Sequence, residues 1–318
     1  MPIAFVFPGQ GSQAVGMGRD LAAAFPAARE VFEAVDETLK QNLSRLMFEG
    51  PAEELTLTAN AQPALMAVSL AVMRVLEQEG GFDLKGRVTL VAGHSLGEYS
   101  ALAAAQTFDV PTAARLLRLR GEAMQKAVPA GVGAMAALLG AEMAQAQEIC
   151  ARAAEGPEGE TEVVEAANDN GGGQVVISGH RGAVERAVAL AKEQGIKRAM
   201  LLPVSAPFHC ALMAPAADAM AEALAAAELR PPLVPVIANV TAAKATDPVE
   251  IRELLVRQVT GTVRWRECVG TMLELGCDRF VEIGSGKVLT GLMKRLAPDA
   301  AAGTVGTPAE IEAFLKSL

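Results

Sequence analysis

The chain alternates between short apolar runs and longer stretches whose apolar residues recur every three or four positions. The first pattern predicts buried strands and the second predicts helices. Ile3 to Phe7 is a strand-like run that ends in a polar loop, Pro8-Gly-Gln-Gly-Ser-Gln13, before helical sequence to about Lys40. Asn60 to Gln78 is rich in Ala, Leu and Met on most faces and predicts a buried helix. Val88 to Ala92 predicts a buried strand, and Ala101 to Ala105 a packed helix. A further helix opens at Asp109, a capping residue, with Pro111 in its first turn, and runs to about Ala127.

The pattern changes at Val128. Gly133 to Leu139 reads as a strand, Ala141 to Ala153 as a helix, and Glu155 to Glu160 as an acidic loop. Glu162 to Ala167 and Gln174 to Ser178 read as strands around a glycine-rich turn, Asn168 to Gly173. Arg181 to Gln194 reads as a helix and Arg198 to Val204 as a strand. The order βαββαβ is that of a ferredoxin-like unit, inserted over residues 128–202. Residues 1–127 and 203–318 then form one large domain. In its second part, Ala211 to Glu228, Asp247 to Val259, Trp265 to Leu275 and Lys287 to Arg295 predict helices. Val234 to Val240 and Asp278 to Ile283 predict strands.

Between the Val88–Ala92 strand and the helix after it lies Gly93-His94-Ser95-Leu96-Gly97, a G-x-S-x-G. A sharp strand-to-helix turn exposes the serine Oγ at its apex, and the flanking glycines let the turn close without Cβ clashes. The helix N-terminus behind it offers free amides, so the Leu96 N–H is a ready oxyanion donor. A serine nucleophile needs a base. The chain has three histidines. His94 adjoins Ser95 and leaves the turn in another direction, to shape the site or pack. His180 opens a helix, as a surface or capping residue. His209 lies where the chain re-enters the large domain and is the base by elimination. The third member, which orients the imidazole, can be a carboxylate or a backbone carbonyl, and the sequence does not choose. Arg120 lies on the apolar stripe of its helix. It reads either as half of a buried ion pair or as a fork for a substrate carboxylate.

Two glycine patterns mimic phosphate loops. Gly9-x-Gly11-x-x-Ala14 lacks a second strand ending in an acid, since Asp36 falls in helical sequence. Gly284-Ser-Gly-Lys287 fails the Walker spacing at Val281. A formal charge of −9 argues against general nucleic-acid binding. Cys150, Cys210, Cys268 and Cys277 are scattered and read as reduced thiols of a cytoplasmic protein. No export signal is expected, and no apolar run near the ~20 residues of a membrane span.

The segments Phe7 to Gln13, Gly93 to Tyr99, Arg120 with Met124, Asn168 to Gly179 and Ala206 to His209 together resemble the bacterial malonyl-CoA:acyl carrier protein transacylases, in that family's order and over nearly the whole chain. The resemblance implies an α/β-hydrolase-like large domain with a parallel sheet core plus the inserted ferredoxin-like subdomain. It implies Ser95 as nucleophile, His209 as base, and the amides of Gln10 and Leu96 as oxyanion hole. Arg120 would hold the malonyl carboxylate, and the carbonyl of Gln258 would orient His209. His94 and Phe208 would line the acyl site, Phe208 leaving no room for a methyl on malonyl C2. It implies ping-pong transfer from malonyl-CoA to a holo acyl carrier protein, by a monomer, with coenzyme A thioester as substrate and no metal or bound cofactor. Carrier proteins are acidic, so Lys287, Lys294 and Arg295 are expected to form the docking patch. The acidic loop at 155–160 is longer than the family's. A serine hydrolase with the same elbow is the competing class, but its usual order places the histidine late; a non-enzymatic scaffold is a more distant one.

Overall fold

A computed structural model describes residues 2–204 and 206–318. Met1 and Ser205, the latter in the re-entry segment ahead of His209, lie outside the described residues. The chain runs β1 (Ile3–Phe7), α1 (Arg19–Ala24), α2 (Pro26–Leu39), α3 (Leu43–Glu49), α4 (Ala52–Thr56), α5 (Thr58–Gln78), α6 (Leu84–Arg87), β2 (Leu90–Gly93), α7 (Leu96–Ala104) and α8 (Val110–Lys126). Next come β3 (Gly133–Leu139), α9 (Met143–Ala153), β4 (Val164–Asp169), β5 (Gln174–His180), α10 (Arg181–Glu193) and β6 (Arg198–Leu201). A 3-10 turn (Ala211–Met213) then precedes α11 (Ala214–Ala226), β7 (Val236–Ile237), β8 (Lys244–Ala245), α12 (Pro248–Thr260), α13 (Trp265–Glu274), β9 (Arg279–Ile283), α14 (Val288–Leu296), β10 (Ala301–Val305) and α15 (Pro308–Lys316).

The strands form two sheets. The larger has the order β10-β9-β1-β2-β7-β8, parallel except for the last pair. Both faces of its centre are covered, as the all-apolar strands require. Ile3, Phe5 and Phe7 of β1 enter the main core, while Ala4 and Val6 enter a second core around Trp265 and Phe280. Each phenylalanine so buried contributes about 1.5–3 kcal/mol. The smaller sheet, β4-β5-β3-β6, is antiparallel. Ala134, Ala136 and Leu138 of β3 and Val175 and Ile177 of β5 pack with residues of α9 and α10 in a core of their own. The intervening Met135 and Val176 point the other way, into a cavity between the sheets. Period-two alternation thus gives this sheet one face for its helices and one for the site.

Several elements differ from the sequence expectation. The strand expected from Val88 begins at Leu90, because Val88 ends α6. The run from Val234 shrinks to Val236–Ile237. Pro235 has no N–H and gives only its carbonyl, to Val91, and from Ala238 the chain turns back toward β8. β6 ends at Leu201, short of Val204. β10 and α15 were not foreseen, although Thr307 and Glu310 form a capping box. The expectation of no span-length apolar run also fails on composition: α5 has 21 residues and is apolar enough to cross a membrane, yet it lies mostly buried within the protein. The Gly284–Lys287 loop does precede a helix, but the amides of Leu289 and Thr290 go to the buried carboxylate of Glu282. A side chain fills the anion position. Asp36 sits inside α2 and accepts the Ser44 N–H.

Candidate functional site

Strands β1 and β2 run in register, Phe7 beside Gly93, so the loops after them emerge together. Glycines set the approach. A Cβ on Gly97 would stand 2.2 Å from the Phe7 carbonyl oxygen, and one on Gly9 would stand 2.7 Å from that of His94. A Cβ on Gly93 would stand 1.9 Å from the Gly97 backbone. The elbow is therefore a place where backbone touches backbone, which places Gln10 beside Ser95 on the cavity wall. Ser95 itself caps α7 with φ 54° and ψ −110°, a conformation foreign to L-residues. The side chain of Asn239 holds it there: its Oδ1 accepts the Ser95 N–H at 2.8 Å and its Nδ2 donates to Gly93 O at 2.7 Å.

Ser95 Oγ lies 2.7 Å from His209 Nε2. His209 Nδ1 lies 2.9 Å from the main-chain oxygen of Gln258. Gln258 occupies the last turn of α12, where helical carbonyls lack intrahelical partners. A carbonyl can only accept, so Nδ1 carries the proton and Nε2 is the free base facing Ser95. Burial, and then the charge of Arg120, push the His209 imidazole down to about 3, so it is neutral at physiological pH.

Arg120 is buried on the inward face of α8. Gly121 lets α8 close on α5, since its Cβ would meet Ala59 Cα at 2.6 Å. Nη1 then donates to Gln62 Oε1 at 2.8 Å, and Nη2 to Gln258 Oε1 at 2.8 Å and Ser95 Oγ at 3.0 Å. Nε has no partner among the described residues. No carboxylate of the described residues lies within ion-pair distance of this guanidinium. Of the two readings of Arg120, the buried protein ion pair is absent among the described residues. Glu98 is the near acid. Burial raises its carboxyl to about 7, against the bonds from Asn239 and Gln258 and the charge of Arg120.

The cavity is about 380 Å³ and lies between the two sheets. Phe208 and His94 line it, as do Met124, Met135 and Val176. His94 Nε2 meets Asn170 Oδ1 at 2.8 Å, so the elbow is tied to the β4–β5 turn, and its ring stacks obliquely on Trp265. His180 stands at the start of α10 and accepts the Val163 N–H, outside the cavity. Lys287, Lys294 and Arg295 are exposed along α14. Among the described residues no group of three or more His, Cys, Asp or Glu is placed to hold a metal ion. The sequence reading missed Gln62, Asn239 and Glu98. Their partners lie 58 to 160 residues away, and no local pattern marks them.

An acyl transferase domain model matches residues 4–305. The malonyl CoA-acyl carrier protein transacylase of Escherichia coli (strain K12) is 47% identical over 313 residues, 98% of each chain. The crystal structure of the acyl-carrier-protein-S-malonyltransferase from Bartonella henselae superposes with a TM-score of 0.96 at 57% identity, covering 100% of this chain and 99% of that one. A malonyl-transacylase in complex with its type II PKS acyl-carrier protein gives a TM-score of 0.94 at 44% identity, with both chains fully covered. The match spans both sheets and every segment around the cavity, and on it the chain belongs to the acyl transferase domain family, among the malonyl-CoA:acyl carrier protein transacylases.

Proposed function

We propose that this enzyme moves a malonyl group from coenzyme A to the phosphopantetheine thiol of an acyl carrier protein. One observation carries the substrate: a buried arginine without a carboxylate partner donates to the hydroxyl that His209 activates. A buried unpaired cation is costly. A substrate acid completes it, and malonyl places a carboxylate two carbons from a thioester carbonyl, short enough to span Arg120 and Ser95. His209 Nε2 takes the Ser95 proton as Oγ attacks the carbonyl. The amides of Gln10 and Leu96 receive the oxyanion. The C–S bond breaks, and coenzyme A leaves with the proton from His209. The carrier thiol then gives its proton to His209 and attacks the malonyl ester; the C–O bond breaks, and Ser95 Oγ leaves with the proton returned from His209. Both half-reactions balance with these groups alone. Phe208 and His94 shape the acyl end.

Residues 128–202 act as one wall of the cleft and the rest as the other, the two-part division read from the sequence. The product supplies chain extension in fatty acid or polyketide synthesis. Four free, buried cysteines fit a cytoplasmic setting.

Arg120→Ala tests the substrate. Loading of wild type and variant with malonyl-CoA and with acetyl-CoA, followed by intact mass, is expected to show a malonyl-selective loss of about 2–5 kcal/mol in kcat/KM. Equal losses for both thioesters would refute a carboxylate-holding Arg120. Ser95→Ala is expected to give no adduct with either.

A further inference from the structure

The polar atoms of Ser95 and the guanidinium of Arg120 converge on a second layer of side chains with one carboxylate beneath it. Glu98 lies in the first turn of α7, 2% exposed. Its Oε2 accepts the Asn239 backbone N–H at 2.9 Å and the Gln258 side-chain Nε2 at 2.9 Å. The same Nε2 donates to Ser95 O at 3.0 Å, and the other end of that amide, Oε1, accepts from Arg120 Nη2 at 2.8 Å. A glutamine amide is symmetric in shape and opposite in polarity at its two ends. Which end meets Arg120 is decided by what the other end meets. Here it meets Glu98 Oε2, an oxygen that already accepts the Asn239 N–H and accepts whether or not Oε1 carries a proton, and a backbone carbonyl. The oxygen is thereby turned toward the guanidinium, and a flipped amide would aim its NH2 at a cation.

We propose that Glu98 is a positioning residue for substrate selection: it polarises the Gln258 amide so that Arg120 is held at Ser95. Glu98 touches neither substrate nor the reacting atoms. Its effect passes through Arg120, so the proposal rests on the reading of Arg120 as the carboxylate holder. The Gln258 main-chain carbonyl reaches His209 independently of the side chain, so the base stays oriented whichever way the amide points.

Glu98→Gln keeps the shape but lets the amides of residues 98 and 258 pair in either sense. Expected is a fall of about tenfold in malonyl-loading kcat/KM, mainly in KM. Acetyl loading should stay within about twofold of wild type, since a methyl group makes no demand on Arg120. Gln258→Met removes the link from the other end and keeps the carbonyl on His209; because its amide also binds Ser95 O, both thioesters should fall, and the malonyl loss must exceed the acetyl loss. In an Arg120→Ala background, Glu98→Gln should add nothing to the malonyl defect. If Arg120→Ala alone is malonyl-selective while Glu98→Gln and Gln258→Met lower both thioesters equally, or neither, Glu98 is only structural and the inference fails. If Arg120→Ala is itself unselective, the substrate reading fails and takes the inference with it. A Glu98→Gln protein that does not fold leaves the decision to Gln258→Met.

Discussion

At the scale of single residues the site holds two conformations and one ionisation against their ordinary preferences. Ser95 and His209 both have positive φ, 54° and 58°. Such strain costs about 1–3 kcal/mol per residue and persists where the surroundings over-determine it. At Ser95 they do: Asn239 binds the N–H and Gln258 the C=O. Ser95→Gly and Ser95→Ala both delete Oγ, but only glycine is at ease there. The glycine variant is expected to be about 1 kcal/mol more stable than the alanine variant in urea unfolding, with no acyl adduct on either. Equal stability would mean the elbow relaxes without its serine. The ionisation is that of His209. An ordinary imidazole titrates near 6.5, and this one is pushed to about 3, first by burial and then by Arg120. Below pH 6.5 the unfolded chain takes up a proton that the folded chain refuses. The contribution of this group to stability is therefore full above pH 6.5 and is lost as pH falls toward 3. The 15N resonances of His209 should report the same Nδ1–H tautomer from pH 8 to about 5, and a midpoint near 6.5 would contradict the burial argument.

Among the elements, the elbow depends on β1, β2 and α7 meeting without side chains between them. Gly97 brings α7 against β1, its Cβ position 2.2 Å from Phe7 O. Both sides are backbone, so neither can turn away. Gly97→Ala is expected to destabilise by about 3 kcal/mol. Gly291 in α14 has open space at its Cβ, and there alanine is expected to stabilise by about 0.5–1 kcal/mol through helix propensity. Opposite signs in parallel chemical denaturation check the packing argument, and two similar shifts would refute it. These contacts also explain what the sequence made legible. Ser95, His209 and Arg120 could be named because each belongs to a local pattern: a glycine-framed turn, a short supply of histidines, and a cation on an apolar stripe. The βαββαβ order was legible from period and turns. The network that holds them was not. Asn239 lay in a run read as strand, and Glu98 in a helix that any capping rule would assign to solvent. What makes both functional is a fold contact, across 141 residues for their mutual bond, that no window along the chain contains. The Gly284–Lys287 loop was set aside on its spacing alone; the contact that fills the amides after it, from Glu282 on the preceding strand, was not legible.

Over the whole molecule, the cleft has one wall from each sheet, and α14 touches both. At its N-terminal end, Ser285 Oγ donates to Ser12 O, which fixes the Gly284–Lys287 loop against the loop that carries Gln10. At its C-terminal end, a Cβ on Gly172 would meet the Arg295 side chain at 2.9 Å, and one on Gly171 would meet Leu296 at 2.3 Å. That is the β4–β5 turn, whose Asn170 lines the cavity and binds His94. Exposed Lys287, Lys294 and Arg295 therefore sit at both ends of a helix whose ends pack against loops that line the cavity; the charge of nearby Arg266 is paired to Asp169 at 2.9 Å. The chain as a whole carries −9. Against that net charge, an acidic carrier protein is predicted to land on the basic α14 rim, with its pantetheine arm directed inward. Exposed charges of this kind act mainly on encounter and are screened by salt. Lys294→Glu with Arg295→Glu is expected to raise the KM for holo carrier protein about tenfold at low ionic strength, and much less at 0.5 M salt. The KM for malonyl-CoA in the first half-reaction should not move, because Ser95 and Arg120 are untouched. An unchanged carrier KM and salt dependence would place the docking surface away from α14.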